Sequence, residues 1–574
     1  QSVISGGKCE ISGSFSQKEA TNLAALIRGG SLPVELKEVT SSAQTAKIGL
    51  DALEMSIYAG IIGAAIIFLI MLVGYRIMGV AADIALTLYI LIMLAVMALM
   101  GSVLTLPGIA GIILSVGMAV YAKVVIFTII KQEINKGRSI RVATQTGYKR
   151  AMSTVIDSQV TTLIAAIILY QIGTSSVKGF AWTLMIGIFA SIFTAVLITQ
   201  LYLSIISESK RFAKNKYFGL HEDGSVMFKL KKEFKFVKHR KIFYIISVAI
   251  IAVGILAGGI RGFNYGIDFT GGTMLHLDMG KKVSAEEIKT VAERHDINTA
   301  QMEIVYAGDN QEEVIIKTNE SLDGDARTVL TDDLQKEFGI GEDDVLSSEH
   351  FGPSVGKELK ANALKALLLS AIGMLIYIRI RFREWKFGSA ALIGTLHDVL
   401  VVVAFYAVFN VTVNNPFIAA ILTVVGYSIN DTIVIFDRIR ENLRFMHKNT
   451  NEEIIDISIN QTLSRSIMTS ATTLIVMVPL YIMASDSIRE FVLPLMIGVL
   501  AGCLSSIFVC SPLYYEFSKG KDRSKYEKQI AKMKKEKKAG KETAAAELPA
   551  GSEHKEPPKG HKKKSREARR KDEK

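Results

Sequence analysis

Cysteine is scarce in this chain: three among 574 residues, Cys9, Cys503 and Cys510. The last two fall in an apolar segment, where a thiol is a small packing group, so neither a disulfide framework nor a zinc site is implied. No Walker-type glycine loop with its lysine appears, so nucleotide hydrolysis lacks its phosphate cradle. Excess basic charge is missing from most of the chain as well. Of the net +12, nearly all arises from Lys519 onward, where 21 Lys+Arg stand against 10 Asp+Glu, and a nucleic-acid reading of the overall charge fails. The chain starts at Gln1, and no signal-peptide pattern precedes the first polar segment.

What the chain has in quantity is apolar sequence. It is 49% hydrophobic with a mean hydropathy of +0.32. That is too apolar for a soluble protein and too charged for a bare bundle, so a polytopic α-helical membrane domain with soluble appendages is expected. A spanning helix needs ~20 largely apolar residues. Such runs fall at about 55–75, 80–100, 107–130, 153–173 and 180–206, and again at 242–260, 361–379, 387–410, 416–437, 466–484 and 491–515. Loops rich in Lys and Arg alternate with loops that have few, and the positive-inside rule puts the basic ones in the cytoplasm. Residues 1–54 and 261–360 then lie outside. An exported segment at 1–54 implies an upstream membrane helix, so the eleven spans read as twelve less one.

The outer segment 261–360 alternates strand and helix patterns in the order β-α-β-β-α-β, which predicts a ferredoxin-like α+β domain. It has no His/Cys cluster, phosphate loop or evident nucleophile and reads as a binding or lever domain. A basic linker at 207–241 joins the halves. The tail at 516–574 has the composition of a disordered segment, with membrane lipids the preferred partner of its basic clusters and no specific nucleic acid expected.

The two halves repeat each other. Phe127 matches Phe436, Thr161-Thr162-Leu163 matches Thr472-Thr473-Leu474, and Leu184–Gly187 matches Leu495–Gly498, all at spacings of 309 to 311. The copies share one deduced orientation, which makes them parallel repeats with the working site between them near the midplane. The stretch VVGYSINDTIVIF at 424–436 sets Asp431 there; its counterpart SVGMAVYAKVVIF at 115–127 has no acid. A charge in such a helix costs roughly 2.5–3.5 kcal/mol or more to insert, so Asp431 is expected to carry a proton or a partner.

These residues resemble SecDF, a translocon-associated family of the RND superfamily. The resemblance covers about residues 5–515. It is carried by GGKCEISGSFSQKEATNLAALIRGGSLPVEL and LTLPGIAGIILSVGMAV in the first, SecD-like half, and by NYGIDFTGGT, LHDV, VGYSINDTIVIFDRIREN and NQTLSRSIMTSATTL in the SecF-like half. The resemblance implies a protein-export accessory, not an enzyme, that draws on the proton-motive force and needs no cofactor, with Na⁺ as the alternative ion. The implied partners are the SecYEG channel, the SecA motor ATPase, YidC and an unfolded preprotein. In this comparison 1–54 is the end of a larger SecD outer domain, 55–206 the SecD-like spans, 242–260 and 361–515 the SecF-like spans, and the chain is N-terminally shortened.

By the same resemblance Asp431 is the proton-moving acid and Arg465 its essential arginine. Asp157 matches a further family acid. The family pattern GMAVDANV reads GMAVYAKV here, so Tyr121 stands where an acid is usual and Lys123 where an amide is. Lys123 is expected either to cross between the repeats and pair with Asp431 or to snorkel to the cytoplasmic edge. Asn430, Thr472 and Thr473 are candidate hydrogen-bond partners of Asp431. Asp83, Asp398 and Arg438 are expected at helix boundaries, with Arg440 beside the last. Two other functions compete: an RND-type exporter of small molecules or lipids, and a non-conducting translocon scaffold.

Overall fold

The structure, a computed structural model, describes residues 38–519 except 210, 213, 222–233, 300–301, 309, 323, 383 and 447, with a few positions between 13 and 24. Most of the expected outer remnant before residue 38, part of the basic linker and the tail beyond 519 lie outside the described residues.

Eleven helices among the described residues are long and apolar enough to cross a membrane. The first half holds α1 (Ala46–Tyr75), α2 (Ile77–Leu99), α3 (Leu106–Asn135), α4 (Ile140–Ile172) and α5 (Ser175–Phe193). The span of α5 continues through a π-helical stretch, Thr194–Thr199, into Gln200–Glu208. Next comes α6 (Arg240–Arg261). After the soluble domain follow α9 (Pro353–Phe382), α10 (Trp385–Phe409), α11 (Asn415–Phe445), α12 (Asn451–Met483) and α13 (Asp486–Ser505), the last again running through a π-helical stretch, Ser506–Cys510.

The internal repeat is written into these boundaries. Helices α1 and α9 each have 30 residues, and α4 and α12 each have 33, displaced by 307 and 311 positions. Both α3 and α11 open with a side-chain cap and a proline in the first turn: Thr105 Oγ1 accepts from Gly108 N at 3.0 Å, and Asn414 Oδ1 accepts from Phe417 N at 3.1 Å. Capping satisfies an orphan N–H that proline's neighbours would otherwise leave unpaired. The π-helical stretches fall at matched places too, an insertion that distorts the regular i→i−4 ladder at one level in both copies.

Small residues set the contact between repeats. A Cβ on Gly117 of α3 would meet Thr473 Cα of α12 at 3.3 Å, and one on Gly426 of α11 would meet Thr162 Cα of α4 at 3.2 Å. These are the same contact seen twice, each central helix lying backbone-close on the other repeat. Helices α3 and α11 are accordingly almost wholly enclosed, whereas α6 turns nearly all of its apolar surface outward. In lipid such close backbone approach replaces the hydrophobic drive that holds soluble cores.

The soluble domain is a five-stranded antiparallel sheet: β1 (Thr40–Gln44), β2 (Gly272–Asp278), β3 (Met302–Ala307), β4 (Glu313–Thr318) and β5 (Val345–Phe351), in the order β1-β5-β2-β4-β3. The last four have the order of a ferredoxin-like sheet. Helices α7 (Ala285–Glu293) and α8 (Gly324–Phe338) cover one face, packing Ile288, Val291, Leu330 and Leu334 on Leu275, Leu277, Val314 and Ile316. The alternation of apolar residues in TMLHLDM is what assigns that face.

Strand β1 is an addition that the sequence did not announce. TSSAQ is short and polar, with no alternation to read, and it becomes a strand only by pairing with β5. It runs directly into α1, as β5 runs into α9. Ser42 faces Glu349, and these two are themselves 307 positions apart. The pseudo-twofold axis therefore passes through this strand pair. Residues 40–44 and the soluble domain also share one side of the membrane, here called the outer side because the basic loops lie at the other.

Candidate functional site

Asp431 lies midway along α11, 5% exposed. Its Oδ1 accepts from Thr469 Oγ1 at 3.3 Å and its Oδ2 from Ser470 Oγ at 3.4 Å, both on α12. The Thr469 hydroxyl also lies 3.0 Å from the Arg465 carbonyl, so its single proton is shared. Arg465, one turn back on α12, is buried and acts on Asp431 through space without forming an ion pair within 4 Å among the described residues. Its Nε has no hydrogen-bond partner among the described residues. Tyr121 faces both groups from α3, and its hydroxyl likewise lacks a partner among the described residues. The carboxyl is thus held by long neutral hydrogen bonds with a cation at one remove. It can take or release a proton without breaking a direct ion pair.

Other expected members of this group stand elsewhere. Thr472 does not bond Asp431; its Oγ1 donates to the Thr469 carbonyl at 2.9 Å, because it points a turn away along α12. Asn430 accepts from Thr161 Oγ1 at 2.9 Å, a link between the repeats. Thr473 pairs with Tyr427 at 2.8 Å. Lys123 neither meets Asp431 nor snorkels: it is fully buried, with Nζ donating to the Ala119 carbonyl at 3.0 Å. Its stem folds back along its own helix, as a chain enclosed within the first repeat must.

Asp157 is clamped. Tyr377 donates to it at 2.7 Å and Arg381 Nε at 2.5 Å, both from α9, while Arg381 also reaches Asp437 of α11 at 2.8 Å. Arg440 completes the chain on Asp437 at 2.8 Å. This network ties α4 to α9 and α11 near their basic ends. Arg438 sits beside it, bonded to Gln461 and Glu441, and lines a cavity of about 430 Å³ between the repeats with Glu133, Lys136, Arg150 and Glu441.

Asp83 lies within α2, with one carboxyl oxygen buried and without a partner among the described residues. Asp398 is not at a helix boundary. It is near the middle of α10 with no exposed surface, bonded to Ser428, Ser505 and His397. The expected boundary fails because the helix starts at Trp385, thirteen residues before Asp398.

The soluble domain is stitched to the outer end of α11. Asp268 Oδ2 accepts from Asn415 N, the first amide of that helix, at 2.8 Å. Beside it Gly266 N donates to Val413 O at 2.8 Å, and Val413 N to Asn264 O at 2.7 Å. An acid at a helix N-terminus meets unpaired amides and the positive end of the macrodipole. Burial nevertheless pushes the Asp268 carboxyl above its ordinary range, partly offset by the Asn415 amide. Glu349 nearby is pushed up to about 7, first by burial and then by Asp268, with Gln44 opposing. The signal for this joint in the sequence was the NYGIDFTGGT segment, whose glycines permit the backbone to run at positive φ at Gly271 and Gly272.

Known proteins share this arrangement. The family described as "Protein export membrane protein SecD/SecF, C-terminal" matches residues 35–209 and 332–520, the "SecDF, P1 head subdomain" matches 1–34, and the "SecD/SecF GG Motif" matches 257–281. The protein translocase subunit SecDF of Bacillus subtilis is 37% identical over 538 residues, covering 90% of this chain and 71% of that protein. The protein translocase subunit SecF of Gemmatimonas aurantiaca is 39% identical over 290 residues, covering 49% of this chain and 86% of that protein. The crystal structure of SecDF from Thermus thermophilus, a translocon-associated membrane protein, superposes with a TM-score of 0.78 at 34% identity, over 90% of this chain and 69% of that one. Eleven spans in two repeats, the sheet joined to the central helix, and these matches converge: the chain belongs to the SecDF family of protein export membrane proteins, multi-pass in the cytoplasmic membrane.

Proposed function

We propose that this chain promotes protein export by coupling protonation of Asp431 to movement of its outer domain. The observation that carries this reading is the geometry of α11. One continuous helix bears the buried acid at its middle and the outer domain, through Asp268, at its end. Sixteen residues separate Asn415 from Asp431, or roughly 24 Å of unbroken helix. Protonation removes the charge that Arg465 answers, the two repeats re-pack at their glycine contacts, and the displacement arrives at the Asp268 joint.

The energy suffices for biasing. A proton crossing a potential of ~100 mV releases about 2.3 kcal/mol, which shifts a two-state equilibrium roughly 50-fold. That does not unfold a stable domain, so the cargo is an unfolded preprotein emerging from the SecYEG channel under SecA, with YidC as a neighbour. No nucleotide or other cofactor enters.

The deciding comparison uses the full-length protein in inverted membrane vesicles. Asp431→Asn is expected to abolish the part of export that depends on the gradient and the proton uptake that accompanies it. Full gradient-dependent export by this variant would end the proposal; export with no proton uptake in the parent would favour a passive scaffold.

A further inference from the structure

Asp398 is a second acid buried in the same repeat, and the mechanism above does not use it. Three helices meet at its carboxyl. Oδ2 accepts from Ser428 Oγ of α11 and from Ser505 Oγ of α13, the latter at 2.8 Å, while Oδ1 meets His397 Nδ1 at 2.9 Å. Among the described residues no Lys or Arg lies within 4 Å, and His397 is the group there able to carry positive charge. The other titratable groups facing Asp398 are the thiols of Cys503 and Cys510, from the α13 span. Helix α6, on the far side of α10, approaches through Gly254 against Ala404.

A tether between helices does not require an acid, and the first repeat shows it. Tyr89, 309 positions before Asp398, bonds α2 to α3 with a neutral hydroxyl, its OH donating to Ser115 Oγ at 2.7 Å. In the second repeat the equivalent place holds a carboxyl whose sole candidate counter-ion is itself titratable. The protons of such a pair come off in two steps that belong to both groups together. Its link to Asp431 is short. Ser428 lies three residues, one turn, before Asp431 on α11. Cys503 interacts with both acids and with Ser470, which bonds Asp431.

We propose that Asp398 and His397 form a second proton-binding site in the second repeat, coupled to Asp431 through Ser428 and the Cys503–Ser470 contact. The transfer runs along the His397–Asp398 contact: the Nδ1–H bond breaks as the Oδ1–H bond forms, and the proton count of the pair changes when His397, 14% exposed, takes or releases a proton at Nε2. This inference rests on the proton-coupled reading of Asp431.

The test is infrared pH-difference spectroscopy of the full-length protein in lipid vesicles, comparing the parent with Asp431→Asn and Asp398→Asn. Each variant is expected to remove a different component of the protonated-carboxyl band. A spectrum of Asp398→Asn that superimposes on the parent overturns the proposal. His397→Gln keeps the core acid and guards against misfolding; it is expected to move the midpoint of the Asp398 component by about one pH unit, a tenfold change in proton affinity. An unmoved midpoint in folded His397→Gln also overturns it. Failure of the Asp431 reading would show instead as gradient-driven export surviving Asp431→Asn, which these spectra do not measure.

Discussion

The two membrane repeats have one geometry and two chemistries. Helix lengths, caps, π-helical stretches and glycine contacts recur at spacings of 307 to 312. Yet the second repeat buries Asp431, Asp398 and Arg465 where the first buries Ala122, Tyr89 and Thr154, none of them charged. The first repeat buries charge at other positions: Lys123 is turned back on its helix, Lys131 bonds the Gly74 carbonyl, and Glu133 and Asp157 are held by basic side chains. Packing therefore carries the symmetry, and ionisable groups break it.

The largest structural effect is expected where the repeats are tied by charge. Arg381→Gln leaves Asp157 and Asp437 without their shared guanidinium. Breaking a buried pair costs roughly 3–5 kcal/mol, and partial exposure here places the loss near the lower end. Thermal unfolding of the detergent-solubilised protein should register it; an unchanged midpoint would show that the network is ornamental.

The glycine contacts sharpen the symmetry claim. Gly117→Val and Gly426→Val each push a branched side chain into the opposite repeat, and overpacking of this kind typically costs about 1–3 kcal/mol. Equal losses in the two variants are expected. A large loss in one alone would mean that the repeats are packed differently despite their matched spacings.

The smallest effect lies at the outer strands. Glu349 titrates at about 7 against an ordinary 4.5, raised by burial and Asp268. Its folded form holds the proton more tightly, so the favourable contribution is full below the ordinary value and fades as pH rises through about 7. Hydrogen exchange of residues 40–44, corrected for the intrinsic rate, should therefore quicken across that window, and Glu349→Gln should flatten the response.

Much of this was legible in the sequence, for identifiable reasons. Spans declare themselves because lipid demands long apolar runs, and three matched anchors expose the repeat from residue identities and spacing alone. The sheet order followed from alternation in TMLHLDM and its neighbours. Strand β1 was hidden because TSSAQ carries no pattern of its own; its partner is three hundred residues away. Asp431 stood out as an acid in an apolar run, but which hydroxyls reach it depends on helical phase. Thr469 and Ser470 face it and Thr472 does not. Asp398 is expected at a boundary although the apolar run 387–410 already places it mid-span; its hydroxyl partners on α11 and α13 depend on packing that no run of residues declares.

The pairing of Ser42 with Glu349 works as the rivet of a pair of shears. Each blade, α1 or α9, is rooted in one of the two strands, so neither repeat can turn against the other without turning the sheet about that point. The free edge at β3 lies three strand spacings from β5, roughly 14 Å, so a turn of about ten degrees sweeps it by about 2.5 Å. That is less than the ~3.3 Å advance of one extended residue. If the outer domain holds an exported chain as proposed, a segment gripped at the far edge would be nudged by a fraction of its own repeat per stroke, which suits a pawl that forbids backsliding better than a winch.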